Sequence, residues 1–198
     1  MSMTTVMTAL RSPEAFALSR RDAPTKPQTN QLSRQDLEDF AALALTASIG
    51  VGLYGAAAHA FDGVSAMAHH ALGAVVAAGI AWTASLPSLY ILGSLTGSKL
   101  PARTVTLATL ITVSFGGLAM LASIPVLWFF EFVSPTAGMR LAIVLTSFVG
   151  VGLSMSDVFL RLMGALEKVR LLHLLWLGLL SVVGAEMFYV FGFFQLGW

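Results

Sequence analysis

Cysteine is absent from this 198-residue sequence, and only 11% of its residues are charged. The absence of cysteine excludes disulfide bonds, thiolate metal sites and cysteine nucleophiles. Soluble domains carry about 25% charged residues, so the low charge excludes an ordinary soluble fold. The net charge of +1 provides no basic surface for nucleic acid. The sequence also lacks a phosphate-binding loop, a Ser-His-Asp arrangement and paired carboxylates within one apolar segment.

The sequence instead contains long apolar runs, and 57% of its residues are hydrophobic. A helix needs about 20 apolar residues to cross a bilayer, and only helices or closed barrels satisfy their backbone polar groups there. The runs do not alternate polar and apolar residues, so they predict an all-α polytopic membrane helix bundle. We expect five transmembrane helices, at 39–61, 70–94, 103–130, 138–160 and 170–195, in a membrane domain covering 38–198.

Residues 1–37 are predicted to form a cytoplasmic N-terminal tail. Ser12-Pro13-Glu14 is typical of a helix start, with a serine cap, proline in the first turn and an acid near the positive end of the dipole. Either a short helix lies on the membrane surface through Ala15, Phe16 and Leu18, or the segment is mostly disordered. The prolines and the polar run 26–33 favour disorder. Ser33 and Asp36 are predicted to cap the first membrane helix.

Prolines and glycines mark special positions within the spans. Pro87 and Pro125 occur in similar segments, Ala-Ser-Leu-Pro and Ala-Ser-Ile-Pro, and each is predicted to kink its helix. A broken-helix transport site is one interpretation, and kinks that only shape packing are the other, which we prefer. Small residues let helix backbones approach closely. We therefore predict helix-packing faces at Gly50 and Gly52 in the first span and at Gly150 and Gly152 in the fourth.

Glu186 is a carboxylate within the last predicted span, without a charged neighbour at helical spacing. A lone acid in a membrane must be protonated, be paired or face a cavity. Arg140, at the start of the fourth span, is its predicted partner, and a proton or cation relay is the alternative. Asp157 and Arg161 are spaced to pair on one helix, and Glu131 marks the outer boundary.

Three histidines and one acid cluster at the predicted outer side: His59, Asp62, His69 and His70. These residue types bind zinc or copper, but their spacing matches no metal motif, so we expect interfacial polar residues and no metal. Haem held between helices needs paired histidines at one depth. His173 lies near the opposite face, so no cofactor is predicted.

One stretch of the chain carries a family resemblance. Ser85-Leu86-Pro87-Ser88-Leu89-Tyr90 is followed by a Gly-Ser-basic turn over 93–99, and Leu121 to Val126 is followed by Phe129-Phe130. Over residues 54–164 this pattern resembles small bacterial inner-membrane proteins whose architecture is similar to the Yip family. Yip proteins are five-pass proteins with a cytoplasmic N-terminus that associate with membrane-trafficking GTPases in eukaryotes. The resemblance implies a fold and a bacterial inner-membrane location, but no catalytic residues.

These observations predict a non-enzymatic accessory or scaffolding subunit of a larger membrane assembly. Its partners would be lipids and other membrane subunits or further copies of itself, with no nucleic acid. The alternative is a small transporter or ion-pathway subunit built on Glu186 and the kinks at Pro87 and Pro125. A metal-dependent intramembrane enzyme that uses the outer histidines is a third and weaker hypothesis.

The distribution of basic residues predicts the orientation. Ten of the 11 Lys and Arg residues lie in the N-terminal tail or in the loops after the second and fourth spans, and only Arg140 lies on the other side. Basic loops stay in the cytoplasm, so we expect a cytoplasmic N-terminus and an external C-terminus. Reporter fusions at Gly63, Ser98, Thr136, Lys168 and the C-terminus will test this. A cytoplasmic C-terminal reporter would contradict it.

Overall fold

The computed structural model describes residues 7–9, 11–21, 34–98, 100–134, 136–167 and 170–194, and these residues are helical apart from short turns. Five helices are long and apolar enough to cross a membrane, which confirms the predicted all-α membrane bundle. The elements are α1 (Pro13–Arg21), α2 (Arg34–Ala58), α3 (Val64–Leu95), α4 (Ala102–Val133), α5 (Ala137–Leu166) and α6 (Arg170–Val190).

Most of the membrane helices are longer than the sequence predicted. Helix α2 already includes Arg34, helix α3 begins at Val64 and helix α5 continues to Leu166. Polar residues near the interfaces extend a helix at little cost, because their side chains still reach water. Hydropathy therefore identifies the apolar core of each helix better than its ends.

The five long helices form a ring. Helix α2 packs against α3 and α4, helix α5 packs against α4, and α6 closes the ring between α3 and α5. At one end, which we call the basic end, α2, α4 and α6 begin. An ion pair there joins buried Asp36 to Arg103 with 2.5 Å between Oδ1 and Nη2. The opposite end, which we call the histidine end, carries His59 and His70.

Helix α1 packs against the bundle. It begins at Pro13, as predicted, and the Phe16 amide donates to the Ser12 carbonyl. Phe16 and Ala17 are buried together with Ile111 of α4 and Leu162 of α5. Of the stripe predicted for the membrane surface, Phe16 is buried against protein, Leu18 is partly buried and Ala15 is exposed. Residues 13–21 are helical, whereas a mostly disordered tail was the preferred prediction. The polar run 26–33, including the predicted cap Ser33, lies outside the described residues.

Gly50 and Gly52 face neighbouring helices, as predicted. A Cβ at Gly50 would lie 2.2 Å from the Gly117 carbonyl oxygen of α4, and one at Gly52 would lie 3.1 Å from Cγ2 of Val75 in α3. Gly117 is equally restricted, because a Cβ there would lie 2.8 Å from the Ala47 carbonyl oxygen. The backbones of α2 and α4 thus meet at a point where only glycine fits.

Gly150 and Gly152 do not pack inside the bundle. Both are exposed, and a Cβ at either position would meet nothing within 4 Å. This corrects the prediction that the two glycines join helices of this chain. The glycines are small enough for close helix packing, but the sequence does not show which way each one faces. That direction depends on how α5 is rotated about its own axis.

Pro87 and Pro125 lie inside α3 and α4, and both helices continue on either side of the proline. The helices are therefore not broken there. Next to Pro87, the Ser85 carbonyl accepts hydrogen bonds from the Trp176 indole of α6 and from the Ser88 hydroxyl, both at 2.7 Å. Because the Trp176 bond joins two helices, the segment around this proline is part of the contact between α3 and α6.

Substitution at the glycine contact provides a test of this packing. Gly50→Ala should lower the free energy of unfolding by about 1–3 kcal/mol, because the added methyl group overlaps the α4 backbone. Gly152→Ala is the matched control, since its methyl group has free space. Thermal unfolding in mild detergent measures both variants. Equal midpoints for Gly50→Ala and the unmodified chain would show that α2 and α4 do not meet at Gly50.

Candidate functional site

Arg140 is the centre of a charged network at the histidine end. Its Nε donates to both carboxylate oxygens of Glu131, at 3.0 and 3.2 Å, and its Nη2 also bonds Glu131. Its Nη1 donates to Asp62 at 3.0 and 3.2 Å. Since Arg140 is in α5, Glu131 in α4 and Asp62 in the turn after α2, one guanidinium joins three segments. The planar fork of arginine donors suits such a bridge.

His59 extends this network. Its Nδ1 lies 2.8 Å from Oδ2 of Asp62. Partial burial tends to raise the pKa of Asp62, but the hydrogen bond with His59 and the positive charge of Arg140 outweigh it, and the pKa is lowered. Asp62 therefore stays ionised and holds both Arg140 and His59. The network orders the turn between α2 and α3 and fixes its position relative to α4 and α5.

His59 and His70, two of the three histidines at the histidine end, stack on each other instead of converging on a metal. The rings of His59 and His70 are 3.4 Å apart and nearly parallel, with an angle of 8° between their planes. The lone pair of an imidazole nitrogen lies in the ring plane, so two stacked rings direct their lone pairs along parallel planes and cannot meet at one ion. Among the described residues, no group of three His, Asp or Glu side chains has the arrangement of a metal site.

His173 lies at the basic end, far along the bundle from the other histidines. It is buried against Phe159 and lines a cavity of about 50 Å³ together with Tyr90, Ser94 and Glu167. A cavity of this size holds a few water molecules at most. Glu186 is not among its lining residues.

Glu186 lies on the outer surface of α6 and is exposed. Within the described part of the chain, its predicted partner Arg140 forms ion pairs with Glu131 and Asp62, and none with Glu186. This corrects the predicted pair. Both acids that Arg140 contacts lie close to the ends of their helices, where the chain turns, whereas Glu186 precedes the end of α6 by a full helical turn. Asp157 and Arg161 do pair as predicted, at 3.0 Å.

Helix α5 carries a surface that the sequence analysis missed. Five small residues recur at every fourth position, and all are exposed: Gly138, Ala142, Thr146, Gly150 and Ser154. We call these five residues the small-residue face of α5. The sequence does show these small residues at a regular spacing of four. The pattern was overlooked because Gly150 was predicted to pack inside the bundle. A surface of this kind is typical of helix association in membranes.

Comparisons with family models, curated proteins and solved structures found no match to this chain. The site is therefore interpreted from its own geometry. Two features of the described surface lack an explanation within the chain: the small-residue face of α5 and the carboxylate of Glu186 on α6.

The Arg140 network can be tested by a double-mutant cycle. Arg140→Gln should lower the free energy of unfolding by about 1–3 kcal/mol, because it leaves the mostly buried Glu131 carboxylate without its charged partner. Combined with Glu131→Gln, the loss should be less than additive. Combined with Glu186→Gln, the two effects should simply add. Unfolding in mild detergent measures each variant, and coupling between Arg140 and Glu186 would restore the originally predicted pair.

Proposed function

We propose that this integral membrane protein is a non-enzymatic accessory or scaffolding subunit of a larger membrane assembly. The observation that carries the proposal is the small-residue face of α5. Gly138 and Gly150 are exposed and have open space where a side chain would be. Such a face lets the backbone of another helix approach closely.

The geometry of this face suits a transmembrane partner. Ser154 lies sixteen residues after Gly138, so the face extends about 24 Å along the helix, which is most of the hydrocarbon thickness. Its hydroxyl groups are already bonded to their own helix: Thr146 donates to the Ala142 carbonyl and Ser154 to the Gly150 carbonyl. They therefore present methyl and methylene surface without an unmet polar group. Close van der Waals contact is what drives helix association in lipid.

Location and orientation belong to the same proposal. The basic residues at the start of α2, the start of α4 and the end of α5 favour a cytoplasmic basic end. The resemblance to small bacterial Yip-like proteins favours the bacterial inner membrane. An adaptor role suits such a protein, because its short loops leave most of its recognition surface within the bilayer.

A transport function is the less favoured alternative. A transporter built on Glu186 needs a solvated path to that carboxylate, whereas the cavity at the basic end has other lining residues. The uninterrupted helices at Pro87 and Pro125 also differ from the unwound segments that form transport sites. Both observations favour the scaffold.

Substitution on α5 tests the proposal with a matched control. Gly150→Leu should weaken the assembly about tenfold or more, because a bulky side chain separates backbones that meet at a small residue. Gly152→Leu makes the same change on the same helix, two residues away and therefore on nearly the opposite side. Native gel mobility of membranes solubilised in mild detergent measures the assembled fraction.

We expect the assembled species to be lost in Gly150→Leu and retained in Gly152→Leu. Both variants should fold, because neither new Cβ meets an atom within 4 Å. Unchanged assembly in Gly150→Leu would contradict the proposal, and so would a chain that migrates as a monomer before any substitution.

A further inference from the structure

The depth of Glu186 can be read from the contacts of α6 with α3. Phe188 of α6 packs in one cluster with Ala74 and Ala77 of α3, and Glu186 precedes Phe188 by two residues. Ala77 lies seven residues beyond His70 along α3, which is about 10 Å of helix. Glu186 therefore lies about 10 Å deeper in the membrane than the polar groups of the histidine end. From the start of α6 at Arg170, Glu186 is sixteen residues, or about 24 Å, away.

These two distances place Glu186 within the hydrocarbon, in the third nearest the histidine end. Their sum is close to the roughly 30 Å thickness of the hydrocarbon core. A glutamate side chain is too short to bring its carboxylate to the polar layer, as lysine and arginine can. An ionised acid at this depth is costly when it faces lipid, so in its exposed position Glu186 stays ionised only with a compensating group.

That compensating group is not found among the described residues of this chain. Glu186 is exposed, and Arg140, the cation of the histidine end, is held by Glu131 and Asp62. The surrounding face of α6 is apolar. Its exposed neighbours at helical spacing are Leu179, Val182, Val190 and Tyr189, and the Tyr189 hydroxyl is the one polar group among them.

Small residues next to Glu186 leave room for another helix. Ala185 is exposed, and Gly178 is exposed with open space where a Cβ would be. Gly178 and Ala185 are two helical turns apart on α6, and both lie on the same side of Glu186. A helix that packs there would have its backbone close enough for a side chain to reach Glu186.

We propose that α6 docks a transmembrane helix of a different protein that carries a lysine or arginine at the depth of Glu186. Charge complementarity selects this occupant, because the face presents a single carboxylate in an apolar surface. A second copy of this chain packed through the same face would place like charges together. This inference rests on the proposed scaffolding function, and it identifies the chemistry of one partner.

A model peptide provides the probe. The full-length chain, which has no cysteine, accepts one engineered cysteine for a donor fluorophore and is reconstituted in vesicles. A Leu/Ala transmembrane peptide with an acceptor carries one lysine in the outer third of its span, and a second peptide has alanine there. Energy transfer measures association. Lysine should strengthen it about three- to twentyfold, the range of interhelical polar contacts in membranes.

The variant Glu186→Gln should remove the preference for lysine, because the amide keeps the size but not the charge. Glu14→Gln is the matched control, since it makes the same change at an exposed acid of α1 and should keep the full preference. Equal binding of the two peptides by the unmodified chain would overturn the proposal. Association between two labelled copies that is lost in Glu186→Gln would also overturn it, because a second copy would then occupy the face.

The two proposals fail separately. If the lysine preference is absent while Gly150→Leu still disrupts the assembly, the proposed docking of a cationic helix on α6 is wrong. The proposed scaffolding function is then still supported. If the lysine preference is present while Gly150→Leu has no effect, the α5 face is not the assembly surface, and the docking inference for α6 is supported on its own.

Discussion

The backbones of α2 and α4 approach each other at Gly50 and Gly117 so closely that neither position has room for a methyl group. In lipid, helices gain nothing by hiding apolar surface from water, so close packing and interhelical hydrogen bonds hold them together. Two such bonds accompany this contact: the Ser114 hydroxyl donates to the Leu43 carbonyl and the Trp128 indole to the Ala57 carbonyl. The other helices are placed around this pair, with α3 against α2 and α5 against α4.

Charged groups then fix the depth of the bundle at both ends. Asp36 and Arg103 join the first turns of α2 and α4 at the basic end, and Arg140 joins α5 to α4 and to the turn after α2 at the histidine end. Each network keeps its charges near water while it ties neighbouring helices. Because both networks satisfy their own members, Glu186 is left outside them, on a helix that crosses the region between the two layers.

The sequence was sufficient for the helices but not for their rotation. Length and hydropathy identify five spans because a bilayer sets one length for every helix. The start of α1 at Pro13 was predictable from local capping chemistry. The direction in which each glycine faces was not predictable. Gly50 and Gly150 look alike in sequence, and they differ only in what lies opposite them in the structure. The partner of Arg140 was missed for a related reason: which acid is nearest depends on the helix order around the ring, which hydropathy does not encode.

Two unexplained features of the described residues, on α5 and α6, point away from the interior of the bundle. Inside, the hydroxyl groups of Thr109 and Thr112 donate to carbonyls of their own helix, and that of Ser114 joins α4 to α2. Outside, α5 offers a face without bulk, and the Glu186 carboxyl group on α6 has no cationic partner among the described residues. A lipid-facing surface needs neither, because lipid tails fill any contour and cannot neutralise a carboxylate. A second helix could use both, and the proposed scaffolding function rests on this difference between a lipid-facing surface and a helix-facing one.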